Sequence, residues 1–122
     1  MVIYPSESSG SSLPVGYDAR PMPPVNVFAS FTPLAGREQE LHALLAWMVE
    51  HTRAEPGCER YDLYRRSGDD GGSFHLFERY RDEDALQAHR ASDHYVEYRR
   101  GVVDLLDGDI DVLVLDGPDV AP

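Results

Sequence analysis

The feature that most constrains this chain is a hydrophobic period that changes several times between residues 25 and 115. Val25 to Phe31 is dense in branched and aromatic residues and is closed by Pro33 and Gly36, which predicts a strand. Arg37 to Ala54 carries Leu41, Leu44, Leu45, Met48 and Val49 at helical spacing and is stopped by Glu55, Pro56 and Gly57, so one long amphipathic helix is expected there. Cys58 to Arg66 and Ser73 to Arg81 read as strands on either side of the turn formers SGDDGG at 67–72, which makes a β-hairpin. Asp82 to Arg90 begins with acidic residues suited to a helix N-terminus. Ser92 reads as the cap of a further helix with Tyr95, Val96, Val102, Val103 and Leu106 on one face, stopped by Gly108. Ile110 to Leu115 is the last strand. The order strand, helix, strand, strand, helix, strand is the split β-α-β arrangement of the ferredoxin-like α+β fold, with a four-stranded antiparallel sheet.

Helices packed on such a sheet cover one face only, yet both parities of the outer segments are apolar. Val25, Val27 and Phe31 oppose Phe28, and Ile110, Val112 and Val114 oppose Leu113 and Leu115. A second apolar face needs a cover. The simplest cover is the same face of an identical chain, so the expectation is a homodimer in which two sheets close into a dimeric α+β barrel.

At 122 residues the chain has room for one core. Twenty-two acidic residues against eleven basic ones give a net charge of −11, a field that repels phosphate backbones and anionic lipid, so neither nucleic acid nor membrane is expected as a partner. No apolar run approaches the length of a membrane span, Arg20 is the first basic residue, and Cys58 is the sole cysteine; together these point to the cytoplasm. Residues 1–24 hold five Ser, five Pro and two Gly without a period, which reads as a flexible extension, followed by a domain at 25–116 and a tail at 117–122.

For chemistry, His42, His51, His75, His89 and His94 form no local metal-binding motif, no glycine-rich phosphate loop precedes a helix, and no Ser or Cys sits in a nucleophile elbow. The expectation is therefore no metal and no cofactor. What stands out is EPGCERYDLYR at 55–65 and FERYRDEDALQAHRASDHYVEY at 77–98. These contain a Glu-Pro-Gly-Cys turn into a strand bearing Tyr61, an aromatic-Glu-Arg-aromatic strand from Phe77 to Tyr80, and His89, Ser92, His94 and Tyr95 in a His-x-x-Ser-x-His-aromatic segment. In these elements and their order the chain resembles the antibiotic biosynthesis monooxygenase family of small dimeric α+β barrel proteins, over roughly residues 25–115. The haem-degrading branch of that superfamily has a Trp where His89 falls and a haem-ligating His near Arg99; neither is present here.

The resemblance implies oxidation of an aromatic polyketide, quinol or similar phenol by O2 without metal or flavin. A phenol that has lost its proton is electron-rich enough to react with dioxygen directly, so the protein needs a base, an apolar cavity for a flat ring, and exclusion of water. His89 is the expected base, because imidazole titrates near neutrality. Asn26, Trp47, Tyr61 and Tyr80 are the expected substrate contacts, and Glu78 and His94 are expected to orient or support the site. An enclosed cavity of roughly 300 Å³ or more between sheet and helices, lined by His89, is the corresponding expectation. Two other readings use the same residues: a non-catalytic dimer that binds a small apolar ligand, and an isomerase or cyclase that moves a proton through His89.

Overall fold

The computed structural model describes residues 22–121. Four strands and three helices follow one another as β1 (Val25–Phe31), α1 (Glu38–Arg53), β2 (Cys58–Arg66), β3 (Ser73–Tyr80), α2 (Glu83–Arg90), α3 (Asp93–Val102), a 3₁₀ turn at Val103–Leu105, and β4 (Asp111–Leu115). The strands form one antiparallel sheet in the order β2-β3-β1-β4. This is the ferredoxin-like α+β arrangement. The sequence of residues 1–21 and 122, including Val2, Ile3, Tyr4 and Tyr17 of the expected extension, lies outside the described residues.

Strand register decides which side chains meet the helices. Val27 pairs with Glu78 and Val114, Ala29 with Leu76 and Val112, and Phe31 with Phe74, so these residues share one face. Tyr61 joins that face opposite Glu78. Leu41, Leu45 and Met48 of α1 and Tyr98 and Val102 of α3 pack on it and close the main core. Each fully buried side chain of this kind contributes roughly 1.5–3 kcal/mol. The expected face of α3 is met in part: Val102 and, beyond the helix, Leu106 are buried and Tyr95 packs against the core, but Tyr98 is buried and Val96 and Val103 are exposed. The buried stripe runs through 95, 98 and 102, and Val96 and Val103, seven residues apart, share the adjoining stripe that faces solvent.

The other face is Asn26, Phe28 and Ser30 of β1, His75 and Phe77 of β3, Asp62 and Tyr64 of β2, and Leu113 and Leu115 of β4. Among the described residues no helix packs there. Tyr64, Leu113 and Leu115 are among the exposed large apolar residues. Among the described residues no helix is long and apolar enough to cross a membrane.

Candidate active site

The site lies on the helix-covered face, where side chains from all four strands meet α2 and α3. Two helix caps set its position. Asp82 accepts from the Ala85 N–H and starts α2; Ser92 accepts from the Tyr95 N–H and starts α3. The Ser92 hydroxyl also donates to the His89 carbonyl at 2.6 Å, tying the end of one helix to the start of the next. His89 in the last turn of α2 and His94 in the first turn of α3 therefore face the same point, with ring centroids 6.0 Å apart.

That point is Glu55. Its Oε2 lies 2.8 Å from His89 Nδ1 and 2.5 Å from His94 Nε2. Glu55 comes from the turn between α1 and β2, and Gly57 lets this turn approach α2. A Cβ at Gly57 would stand 2.4 Å from the Ala85 Cβ, a clash no side chain can relieve without moving the backbone. The Arg81 N–H donates to the Gly57 carbonyl at 2.8 Å and fixes the approach. Glu55 was legible only as part of the Glu-Pro-Gly-Cys turn. Glu55 rather than Glu78 is the carboxylate that meets both histidines; Glu78, on β3, accepts at Oε1 from the Tyr80 hydroxyl at 2.6 Å.

A carboxylate oxygen shared by two imidazoles accepts from both. His89 then carries its proton on Nδ1, which leaves Nε2 as the nitrogen with a free lone pair. Burial holds His89 below the ordinary imidazole range, against the opposing pull of Glu55, so the ring is neutral near pH 7. It is enclosed by Tyr80 and Tyr95, each 5.1 Å away between centroids, and by Tyr61 at 5.8 Å. Glu78 is buried, and desolvation pushes its carboxyl up to about 7 although Tyr80 and Arg90 favour the ionised form. Burial likewise raises the Tyr61 and Tyr80 hydroxyls above the ordinary phenol value, with Glu78 adding to both.

Glu55, His89 and His94 are also the residues that could hold a divalent metal: two imidazoles and a carboxylate whose ligand atoms lie within 4.8 Å of one another. The sequence shows no such motif because Glu55 is 34 residues from His89. The spacing found is that of hydrogen bonds. Ligands on a tetrahedral metal at roughly 2.0–2.2 Å stand about 3.3 Å apart, wider than either N···O contact here, so a metal would have to spread the cluster.

A cavity lined by His89, Glu78, Tyr61, Tyr95, Arg90 and Arg99, among others, sits between sheet and helices. Its volume is about 40 Å³, far below the expected 300 Å³, because tyrosine rings fill the space. It accepts the edge of a ring, not a whole one. Tyr61 and Tyr80 are thus brought to His89. Asn26 and Trp47 are not. Asn26 points to the opposite face, where its Nδ2 donates to the Leu115 carbonyl at 3.4 Å. Trp47 lines a separate surface cleft of about 300 Å³ with His51, Asp93, His94 and Glu97.

The family model for antibiotic biosynthesis monooxygenase matches residues 24–101. The chain belongs to the antibiotic biosynthesis monooxygenase family. Its relatives include "Putative monooxygenase Rv0793" of Mycobacterium tuberculosis, 49% identical over 92 residues, or 75% of this chain and 89% of the relative. The solved structure of Rv0793 superposes with a TM-score of 0.75 at 47% identity, covering 81% of this chain and 99% of that one. "Putative monooxygenase YcnE" of Bacillus subtilis is 32% identical over 66 residues, 54% of this chain and 68% of the relative. The family fold extends to SnoaB of Streptomyces nogalater, described as a cofactor-independent oxygenase, with a TM-score of 0.70 at 19% identity over 81% of this chain and 97% of that one.

Proposed function

We propose that the chain is a monooxygenase that oxidises a phenolic or quinol-type aromatic substrate with O2, using its own side chains rather than a resident cofactor. The observation that carries this reading is the Glu55–His89 pair: a buried, neutral imidazole held through Nδ1, with its other nitrogen free on a ring that lines a cavity. Membership of the family and the names of its relatives support it.

His89 Nε2 takes the proton of the substrate hydroxyl, and Glu55 steadies the imidazolium that results. The phenolate passes one electron to dioxygen, and the radical pair recombines to form a carbon–oxygen bond. The His89 imidazolium returns its proton to the peroxide, and the hydroperoxide, on a ring carbon that still bears a hydrogen, loses water, so one oxygen atom ends as a carbonyl and the other as H2O. The tyrosines around His89 exclude bulk water from the proton transfer.

The exposed apolar face of the sheet supports the homodimer, with a second copy as the cover, and we assign the domain to 25–116 with a cytoplasmic address. The test is oxygen uptake by the chelator-treated protein with hydroquinones, anthrones and naphthols. Saturable uptake with no added flavin, nicotinamide or metal is expected. A complete panel without uptake overturns the oxygenase reading; saturable binding in that case supports the ligand-binding dimer, and proton exchange without oxygen uptake the isomerase.

A further inference from the structure

The chain has no lysine, so arginine supplies every fixed positive charge, and each faces an excess of acid. Ten of the arginines lie in the described residues. Seven of them, Arg37, Arg53, Arg60, Arg66, Arg79, Arg81 and Arg100, stand within salt-bridge distance of a carboxylate. Arg65 lies over the Phe74 ring at 5.7 Å. The two that remain, Arg90 and Arg99, have no carboxylate partner among the described residues, and both line the cavity that holds His89 and Glu78.

In a chain of net charge −11, two unpartnered guanidinium groups at one cavity are a local reversal of the protein's field. Arg90 closes α2 and Arg99 is in the last turn of α3, so each also complements a helix C-terminus. That role leaves the position unexplained, since Arg100 occupies the same last turn of α3 and is paired with Glu97 at 3.3 Å. The Arg90 charge reaches the cavity: it favours the ionised form of Glu78 and disfavours protonation of His89. Arg99 is solvent-exposed and Arg90 half-buried, which puts the donors at the mouth rather than the floor. The enclosed space of about 40 Å³ admits a hydroxyl-bearing ring edge. The rest of a substrate must lie at the mouth, against these two groups.

We infer that the site takes aromatic substrates bearing an anionic substituent, a carboxylate or a phosphate, which Arg90 and Arg99 receive while a ring hydroxyl reaches His89. The His89 half of this statement rests on the oxygenase reading; the anion half does not. Guanidinium is suited to either anion because its paired N–H groups match two oxygens at once.

The test uses the full chain and three probes with the same ring: methylhydroquinone, 2,5-dihydroxybenzoate and 2,5-dihydroxyphenyl phosphate. Affinity is measured by calorimetry and turnover by oxygen uptake. At low salt the anionic probes are expected to bind about tenfold or more tightly than the neutral one, and the ratio should shrink as salt rises. Arg90→Gln and Arg99→Gln should each lower that ratio, and the double variant should bring it near one. The stronger of the two anionic probes identifies the substituent. Equal affinity for neutral and anionic probes, or a preference retained in the double variant, overturns the inference. Neutral quinols that turn over with no anionic preference sink the anion site and leave the oxygenase reading intact. Arginine-dependent binding without oxygen uptake does the reverse. Circular dichroism of each variant confirms that the fold is kept.

Discussion

The two faces of the sheet are made of the same kinds of residue and have opposite fates. Under the helices, Ala29, Phe31, Phe74 and Leu76 are sealed by α1 and α3 and Val27 by Ala85 and Leu86 of α2, and the polar groups among them, Glu78 and His89, have specific partners in Tyr80 and Glu55. On the other face Tyr64, Leu113 and Leu115 are exposed, beside a Ser30–His75–Ser73 chain of hydrogen bonds at 2.9 and 2.8 Å and ion pairs that Arg60 and Arg79 make with Asp62 and Glu59. Buried titratable groups are costly unless they are paired or used, whereas exposed apolar groups are costly unless they are covered. On the proposed reading the first face carries the chemistry and the second the assembly.

The sharpest way to break this division is at His89. His89→Ala should slow oxygen uptake by roughly 10² to 10⁴ while leaving the sedimentation of the dimer unchanged. A rate that survives the substitution places the proton acceptor elsewhere. The converse change, Leu113→Arg on the bare face, should raise the dimer dissociation constant by about 10² or more with the circular dichroism of the subunit retained. Wild-type protein that sediments as a monomer at micromolar concentration would remove the division altogether.

Glu78 gives a pH test of the covered face. Its folded value of about 7 lies above the unfolded 4.5, so the folded state holds its proton more tightly. Its contribution is favourable at low pH and is lost as pH rises from about 4.5 to 7. Glu78→Gln, which keeps an acceptor for Tyr80, should match wild type near pH 4 and exceed it by about 1–3 kcal/mol at pH 8 in denaturant titrations. No gain at pH 8 would mean that the carboxylate is ionised at little cost. His89 acts in the opposite sense: its lowered value removes stability as pH falls below 6.5. At the smaller end, Ser92→Ala should cost about 1 kcal/mol through the lost cap of α3, with a larger effect on turnover because the same hydroxyl ties down His89.

Much of the fold is legible in the sequence because its signals are local. The hairpin turn, the caps at Asp82 and Ser92, and the leucines of α1 each specify an element from within a few residues. The apolar character of both strand parities is legible for the same reason. The site is less so. Glu55 meets His89 and His94 only because Gly57 allows a close approach to Ala85, a contact made in three dimensions by residues far apart in the chain. Asn26 and Trp47 fail to reach His89 for a related reason: parity puts Asn26 across the sheet, and helical phase turns Trp47 into the cleft by His94. The unpartnered state of Arg90 and Arg99 is a property of the whole charge distribution and leaves no mark on any segment.

The most direct test of the account is the pH dependence of kcat/KM for oxygen uptake, measured on wild type, Glu78→Gln and His89→Gln. The account predicts an acid limb whose midpoint falls below the ordinary imidazole value of about 6.5, kept in Glu78→Gln and abolished in His89→Gln. A limb that persists in His89→Gln and disappears in Glu78→Gln would assign the proton transfer to the buried carboxylate and contradict the central claim.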